Sequence, residues 1–399
     1  MTKDNSPETR WRQATRLVRG GTRRTGFDET SEALFMTSGY VYASAAEAEQ
    51  AFKGERDRFV YSRFGNPTVQ MFESRLALLE GAKHCKATAT GMAAVFTALA
   101  CMLRAGDRLV ASRALFGSCH YVVSEILPGF GVETELVDGR DLDAWRDALS
   151  RPAACVFLET PSNPMLEIVD LPAVCALGMA AGARVVVDNV FATPILQKPL
   201  ELGADVVVYS ATKHIDGQGR VLGGAILTDD TDYFELKLVP FHRHTGPTLS
   251  PFNAWLLLKG LETLDLRMER HCRNARAVAE HLSARNDLER VLYPGLPSHP
   301  QHALAMRQMR DGGSLVTLDV AGGREDAFRF LDALQIVDIS NNLGDSKSLA
   351  THPATTTHQR FTPEQRGELG IFDNTVRLSI GLEDVQDLIE DFDQALAAA

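Results

Sequence analysis

Short apolar runs alternate with longer helical patterns through the middle of the chain. The short runs are rich in β-branched residues, which predicts buried strands. They lie at Cys85–Ala89, Arg108–Ala111, Glu133–Val137, Ala154–Glu159, Arg184–Asp188, Val206–Ser210 and Gly224–Leu227. Helical patterns fill Gly91–Leu103, Ser118–Leu127, Leu142–Leu149 and Leu171–Ala181. This alternation predicts an α/β fold with a mostly parallel, seven-stranded sheet that crossover helices cover on both faces.

The pattern changes after about residue 240. A helical stretch runs from Leu249 to Ala284, and a closing helix begins at Asp384. Between them, strand patterns lie at Leu288–Tyr293, Ser314–Val320, Ile336–Ser340 and Thr375–Ile380. One further helical pattern lies at Glu325–Leu334. This predicts a smaller α+β domain with an antiparallel sheet. We therefore divide the chain into an N-terminal arm (residues 1–60), a large α/β domain (61–250) and a C-terminal α+β domain (251–399).

Composition narrows the class of protein. The 399-residue chain has a net charge of −11, which argues against a nucleic-acid-binding surface. Its six cysteines include no Cys-x-x-Cys pair, and four of them lie in apolar segments (Cys85, Cys101, Cys155 and Cys175), which favours reduced thiols in a cytoplasmic protein over disulfides. No signal peptide and no membrane-spanning run is recognisable. The scattered histidines lack the spacing of a metal site. We therefore expect a cytoplasmic protein without a metal.

Two hydroxyls and an amine lie at the end of the predicted strand Val206–Ser210 and in the turn after it. Ser210 and Thr212 are suited to bind phosphate oxygens, and Lys213 lies on the same turn. A lysine that a sheet delivers to a site can form a Schiff base with a carbonyl cofactor. Alone, this signal is weak, because a lysine after a strand is more often a solvated loop residue.

Two more features at strand ends support a cofactor site. Asp188 ends the preceding strand, and ligands of α/β sheets bind at the carboxyl ends of the strands. Thr90–Ala94 opens a helix, where Gly91 allows close backbone approach and free N–H groups can bind an anion. Pyridoxal phosphate needs an amine for its aldehyde, an acid for its ring nitrogen and a phosphate cradle. The three features together predict a pyridoxal-phosphate site.

Further polar residues are candidates for the same crevice. The loop Thr160–Pro164 places Asn163 beside a strand end. Arg377 lies inside a strand pattern, where an arginine is usually a surface residue but can also bind a carboxylate in bidentate fashion. The loop Tyr61–Thr68 holds a phenol and a guanidinium.

Eight motifs in chain order resemble the Cys/Met-metabolism family of pyridoxal-phosphate enzymes, and the resemblance covers nearly the whole chain from about residue 16. The motifs lie at Tyr61–Thr68, Thr90–Ala94, Glu159–Pro164, Val187–Asn189, Ser210–His214, Ser340–Asp345, His352–His358 and Arg377–Gly381. The resemblance implies the transferase fold of type I, usually assembled as a tetramer of two dimers.

The resemblance also implies roles for individual residues. Lys213 forms the Schiff base, and Asp188 is the partner of the ring nitrogen. The phosphate is held by Gly91, Met92, Ser210 and Thr212, and by Tyr61 and Arg63 of a neighbouring subunit. The substrate carboxylate is surrounded by Asn163, Ser340 and Arg377.

One departure from the family pattern concerns Phe116. Much of the family has a tyrosine here, stacked on the cofactor ring, whereas Phe116 can stack but has no hydroxyl to relay a proton. The segment Phe116–Cys119 and the segment Asp216–Arg220 are most similar to the bacterial branch that acts on succinylated homoserine.

The implied reaction is γ-replacement on O-succinylhomoserine, in which sulfide displaces succinate to give homocysteine in methionine biosynthesis. Cysteine as the sulfur donor, an acetyl ester as substrate and a non-catalytic binding role are the alternatives. A succinyl ester carries a distal carboxylate that a cation could bind, and Lys53, Arg56 and Arg58 are the candidates.

Overall fold

The computed structural model describes residues 7–399, so the first six residues of the predicted N-terminal arm lie outside it. Twelve strands form two sheets within these residues. Their bounds are β1 His84–Thr88, β2 Arg108–Ser112, β3 Glu133–Val137, β4 Cys155–Glu159, β5 Arg184–Asp188, β6 Val206–Ser210, β7 Gly224–Thr228, β8 Leu288–Leu292, β9 Leu315–Val320, β10 Asp338–Ile339, β11 Leu349–Thr351 and β12 Thr375–Ser379.

Helices connect and cover these strands. The α-helices are Gln13–Arg19, Ala45–Phe52, Pro67–Glu80, Gly91–Ala100, Gly117–Tyr121, Leu127–Gly129, Leu142–Ala148, Leu171–Ala180, Thr193–Leu196, Thr231–Tyr233, Val239–Thr245, Pro251–Glu262, Leu264–Ser283, His302–Gln308, Arg324–Ala333, Pro363–Glu368 and Val385–Leu396. Turns of π-helix span Val122–Ile126 and Phe234–Leu238, and 3-10 turns span Pro7–Arg10, Pro199–Leu202 and Pro353–Thr355. No helix of the described chain is long and apolar enough to cross a membrane.

The larger sheet has seven strands in the order β1-β7-β6-β5-β4-β2-β3. The pairs from β6 to β3 are parallel, and β7 runs antiparallel to both of its neighbours. The prediction of a mostly parallel, seven-stranded sheet is therefore confirmed, with each strand within one residue of its predicted bounds. The valine runs of β5 and β6 are buried, since helices cover both faces of a parallel sheet.

The smaller sheet has the order β10-β11-β12-β9-β8. Most of its pairs are antiparallel, as predicted, but β10 and β11 are parallel. The strand predicted at Ile336–Ser340 is shorter, Asp338–Ile339, and the three-residue strand β11 was not predicted. The helical stretch predicted from Leu249 to Ala284 is two helices that meet at Thr263, whose backbone leaves the helical region.

The order of the large sheet brings the carboxyl ends of three chemistry-bearing strands together. In the parallel register, Glu159 of β4 pairs with Asp188 of β5. The next strand, β6, ends at Ser210 and leads into the turn that holds Lys213. The alternation of strands and helices therefore places these side chains at one edge of the sheet.

Candidate active site

A cavity of about 230 Å³ lies at the carboxyl ends of β4, β5 and β6. Most of the site residues predicted from the sequence line it, namely Gly91, Met92, Phe116, Asn163, Asp188, Ser210, Thr212, Lys213 and Arg377. These residues are far apart in the chain, and the fold brings them around one volume.

Lys213 is mostly buried in this cavity. Its Nζ donates a hydrogen bond to Oδ1 of Asn342, at 2.5 Å. Burial, with a smaller contribution from the charge of Arg377, lowers the pKa of Lys213 to about 8. A larger fraction of the amine is therefore neutral near neutral pH than for a solvated lysine, and the neutral amine is the nucleophilic and basic form.

Asp188 is a buried carboxylate that lacks a cationic partner among the described residues. Its Oδ1 accepts a hydrogen bond from the backbone N–H of Val190 at 3.1 Å, and burial raises its pKa to about 7. A buried carboxylate of this kind is stabilised in its charged form when a cation binds beside it. A protonated ring nitrogen would be such a cation.

The helix Gly91–Ala100 begins at the cavity wall. The side chain of Thr90 caps it by accepting from the N–H of Ala93 at 3.0 Å. A Cβ atom on Gly91 would lie 2.5 Å from Cβ of Ser210 and 2.7 Å from its Oγ, so only glycine fits here. Close backbone approach, free helix N–H groups and the Ser210 hydroxyl together form a cradle suited to a phosphate.

Thr212 lies beside this cradle. Its Oγ1 accepts a hydrogen bond from the N–H of Gly223 at 3.1 Å, which ties the Lys213 turn to the start of β7. Thr212 also lines the cavity. Thr212 therefore braces the turn as well as facing the ligand volume.

Arg377 of β12 is fully buried, with 1% of its surface exposed. Its guanidinium donates to Oδ1 of Asn163 at 3.0 Å and to the carbonyl oxygens of Asn341 and Asn342 at 3.1 and 3.0 Å. Burial lowers the pKa of Arg377 to about 10, and its Nε has no hydrogen-bond partner among the described residues. A buried, partly unpaired guanidinium at a cavity wall is suited to bind a carboxylate.

Three of the site residues predicted from the sequence do not line the Lys213 cavity. Tyr61 and Arg63 line a separate surface hollow, where the guanidinium of Arg63 packs 5.4 Å from the ring centre of Tyr61. Ser340 lines a second, wider cavity beside the first, and its Oγ accepts from the N–H of Asn342 at 3.2 Å. Within the single chain, these side chains do not contribute to the Lys213 cavity.

Two residues of the site were missed from the sequence. Glu159 is the first residue of the motif Glu159–Pro164, but the sequence did not indicate a role for it. Its two carboxylate oxygens accept from the backbone N–H groups of Phe116, at 2.8 Å, and Asn163, at 3.0 Å. Burial and the neighbouring charge of Asp188 raise the pKa of Glu159. Glu159 thus holds two cavity residues in place.

Asn342 was missed in the same way. It lies two residues after Ser340 in the motif Ser340–Asp345, and its amide oxygen is the partner of Lys213. The motif Ser340–Asp345 already indicated polar residues near the site, and an amide there can position an amine. Only the fold shows which of its adjacent polar residues contacts Lys213.

The residues around the cavity fit pyridoxal phosphate. An amine of lowered pKa, a buried acid without a cation and a phosphate cradle line one volume. Pyridoxal phosphate requires these three groups. No three His, Cys, Asp or Glu side chains of residues 7–399 come together as a metal site would require.

Comparison with known proteins gives consistent matches. The family model described as Cys/Met metabolism PLP-dependent enzyme matches residues 14–397. An O-succinylhomoserine sulfhydrylase of Mycobacterium tuberculosis is 59% identical over 391 residues, covering 96% of each chain. One of Pseudomonas aeruginosa is 49% identical over 384 residues, covering 96% of this chain and 95% of that protein. The crystal structure of cystathionine gamma synthase from Xanthomonas oryzae pv. oryzae superposes with a TM-score of 0.93 at 36% identity, covering 97% of this chain and 98% of that one.

Proposed function

Because this chain belongs to the Cys/Met metabolism family of pyridoxal-phosphate-dependent enzymes, we propose that it is an O-succinylhomoserine sulfhydrylase. It replaces the succinyl group of O-succinylhomoserine by sulfide, giving homocysteine and succinate for methionine biosynthesis. The observation that carries this conclusion is the 59% identity, over 96% of both chains, to an enzyme of that name. The side chains that line the Lys213 cavity support this proposal.

Bound pyridoxal phosphate supplies an aldehyde that captures amines and a ring that stores electrons. The lining of the cavity supports the roles that the family resemblance implies for its residues. Lys213 would anchor the aldehyde, Asp188 would pair with the ring nitrogen, and Phe116 would pack on the ring. The cofactor phosphate would be held by Gly91, Met92, Ser210 and Thr212. Asn163 also lines the cavity, and its backbone N–H donates a hydrogen bond to Glu159.

Two side chains act on the substrate. Arg377 binds the α-carboxylate and so orients the substrate, with Asn163 beside it. The Nζ of Lys213 removes the proton from the substrate Cα and, once it has released that proton, one from Cβ, because its lowered pKa lets it both accept and release a proton. When Nζ is a free amine, as in the cofactor-free chain, it donates a hydrogen bond to Asn342, which positions it.

The ring of Phe116 contributes packing and no proton transfer. The backbone N–H of Phe116 donates a hydrogen bond to Glu159, which holds the residue and its ring at the cavity wall. Since Phe116 has no hydroxyl, the proton transfers at Cα and Cβ fall to Lys213. This division of roles distinguishes the site from relatives with a tyrosine at this position.

The first prediction concerns the substrate pair. The cofactor-loaded protein is offered O-succinylhomoserine or O-acetylhomoserine, each with sulfide and with cysteine. We expect succinyl ester with sulfide to give the highest turnover, about tenfold above the acetyl ester, because a site built for the distal carboxylate penalises an ester that lacks it. Product analysis by chromatography measures all four combinations.

Two outcomes would contradict this prediction. If cystathionine forms faster than homocysteine at matched donor concentrations, the chain is a cystathionine γ-synthase. If none of the four combinations gives product although cofactor is bound, the protein has a binding role.

The assembly is also a proposal. Large apolar side chains of the N-terminal arm are exposed in the single chain, with Phe27 92%, Val41 89% and Met36 67% exposed. Apolar side chains grouped on one exposed segment mark an interaction surface, so we infer that the arm packs on another subunit, in the tetramer of two dimers that the family resemblance implies. All six cysteines are unpaired and buried, which favours the reducing cytoplasm.

A second prediction follows from the position of Tyr61 and Arg63 outside their own chain's cavity. If they complete a neighbouring subunit's phosphate site, Arg63→Ala and Lys213→Ala proteins are each nearly inactive. A mixed dimer of the two has one intact site and should recover up to about half of wild-type turnover. Hybrids isolated through two different affinity tags provide the measurement. Isolated hybrids without activity would place Arg63 in the site of its own chain.

A further inference from the structure

A second, wider cavity opens beside the Lys213 cavity. It has a volume of about 700 Å³, and we call it the vestibule. Phe116 and Asn341 line both cavities, so the two volumes share a wall. Asn341 is also where Arg377 donates one of its hydrogen bonds. A substrate whose α-carboxylate lies at Arg377 therefore has the vestibule within reach of its other end.

The vestibule is lined for an anion. Arg360 is the only charged side chain among the described residues that line it. The remaining lining includes the uncharged polar residues Ser118, Ser340, Thr355, Thr356 and Thr357. With one positive charge and no carboxylate in its lining, the vestibule favours a ligand group of negative charge.

Arg360 is held but not neutralised. Its guanidinium lies 5.6 Å from the ring centre of Tyr121, a cation–π contact that orients the side chain while leaving its charge and donors available. No carboxylate of residues 7–399 forms an ion pair with it. The guanidinium is therefore available to bind a carboxylate in bidentate fashion.

The cations that the sequence suggested for this role are already paired. Lys53 forms an ion pair with Glu49 at 2.5 Å, and Arg58 with Glu47 at 2.5 Å. Arg56 lies 3.2 Å from the same Glu47 oxygen. These residues lie in the arm and line neither cavity of their own chain. An external carboxylate would have to displace a carboxylate that each already has.

We propose that Arg360 binds the distal carboxylate of the succinyl group and so selects the succinyl ester over the acetyl ester. This inference rests on the proposed function. Arg377 binds the α-carboxylate at one end of the substrate, and Arg360 binds the leaving group at the other, past the shared wall at Phe116. An acetyl ester leaves Arg360 unpaired and gains nothing from it.

The test compares Arg360→Gln and Arg360→Lys with wild type, using both esters with sulfide. Arg324→Gln is the matched control, because Arg324 also packs on an aromatic ring, 4.9 Å from the centre of Phe328, and lines neither cavity. We expect Arg360→Gln to raise KM for the succinyl ester by about tenfold or more and to change KM for the acetyl ester by less than about twofold. Arg360→Lys should recover part of the loss, since it keeps the charge but not the bidentate geometry.

Succinate provides a second readout. It should inhibit the wild-type enzyme more strongly than acetate, and Arg360→Gln should remove most of that difference. Retained turnover of the acetyl ester shows that the variant is folded and loaded with cofactor.

The outcomes separate this inference from the function on which it rests. A wild-type enzyme that processes the succinyl ester, with unchanged ester preference in Arg360→Gln, overturns the role of Arg360 alone. An equal loss with both esters also overturns it, because a general structural role would have that effect. A wild-type enzyme without turnover of the succinyl ester contradicts the proposed function and this inference together.

Discussion

Lys213→Ala should abolish turnover, with a loss of about 10³-fold or more. The substitution removes the anchor for the cofactor aldehyde and the base that moves protons at the substrate Cα and Cβ. General acid–base catalysis alone contributes about 10²–10⁴-fold, and the lost anchor adds to that. The fold should survive, because the amine makes one side-chain hydrogen bond, to Asn342, and an alanine leaves no unpaired charge. Steady-state rates and circular dichroism measure the two effects.

Chemical trapping identifies the anchoring residue independently of rates. Borohydride reduction of the cofactor-loaded wild-type protein should fix the cofactor irreversibly, and peptide mapping should find it on Lys213. Lys237→Ala is the matched control, because Lys237 is exposed and does not line the cavity. It should keep wild-type colour, activity and trapping. A reduced adduct on any lysine other than Lys213 would contradict the role given to it.

The carboxyl ends of the large sheet were predictable from the sequence for a physical reason. A strand buried on both faces reads as a continuous apolar run, so its end is marked by the first polar residue. Val206–Ser210 and Arg184–Asp188 have this form, and both match the observed strands. Because parallel strands share one carboxyl edge, the proximity of Asp188 and Lys213 followed from local patterns alone.

Contacts between distant segments were not predictable in the same way. Arg377 lies in a strand, where alternation normally places an arginine in solvent, yet it is fully buried between the two sheets' loops. There its guanidinium donates to Asn163, more than two hundred residues earlier in the chain. Likewise, the partner of Lys213 is Asn342, and the two are brought together by the packing of the second sheet's loop against the first. No local pattern encodes such a pair.

Short and irregular elements were also not predictable from the sequence. The strand β11, Leu349–Thr351, is too short to show an alternating pattern. The break at Thr263 lies inside a continuous helical pattern and contains neither glycine nor proline. Arg360 belongs to a loop segment without periodicity, so its place in the vestibule needed the structure.

Asp188→Asn should lower turnover by about tenfold to thousandfold. The substitution keeps the shape and the hydrogen bond from the Val190 N–H but removes the negative charge. An opposite charge close by shifts a pKa by about 1–3 units, so the ring nitrogen loses about that much of its proton affinity when Asp188 becomes neutral. The ring then stores electrons less well, and proton removal by Lys213 slows.

The variant should fold as well as wild type or slightly better. In the cofactor-free protein burial raises the pKa of Asp188 to about 7, so its charge is a cost that asparagine does not carry. Loss of activity without loss of thermal stability is therefore the expected combination. The absorption spectrum of the bound cofactor provides a readout besides rate, since it responds to the protonation of the ring.

Asp188→Glu completes the experiment, because it restores the charge one methylene further along. If charge is what matters, Asp188→Glu should recover more activity than Asp188→Asn despite its poorer fit to the cavity. Glu159, the neighbouring carboxyl, cannot substitute, since both of its oxygens accept backbone hydrogen bonds from Phe116 and Asn163. Near-normal turnover in Asp188→Asn, with the cofactor bound, would show that the ring nitrogen does not depend on this carboxylate for its proton.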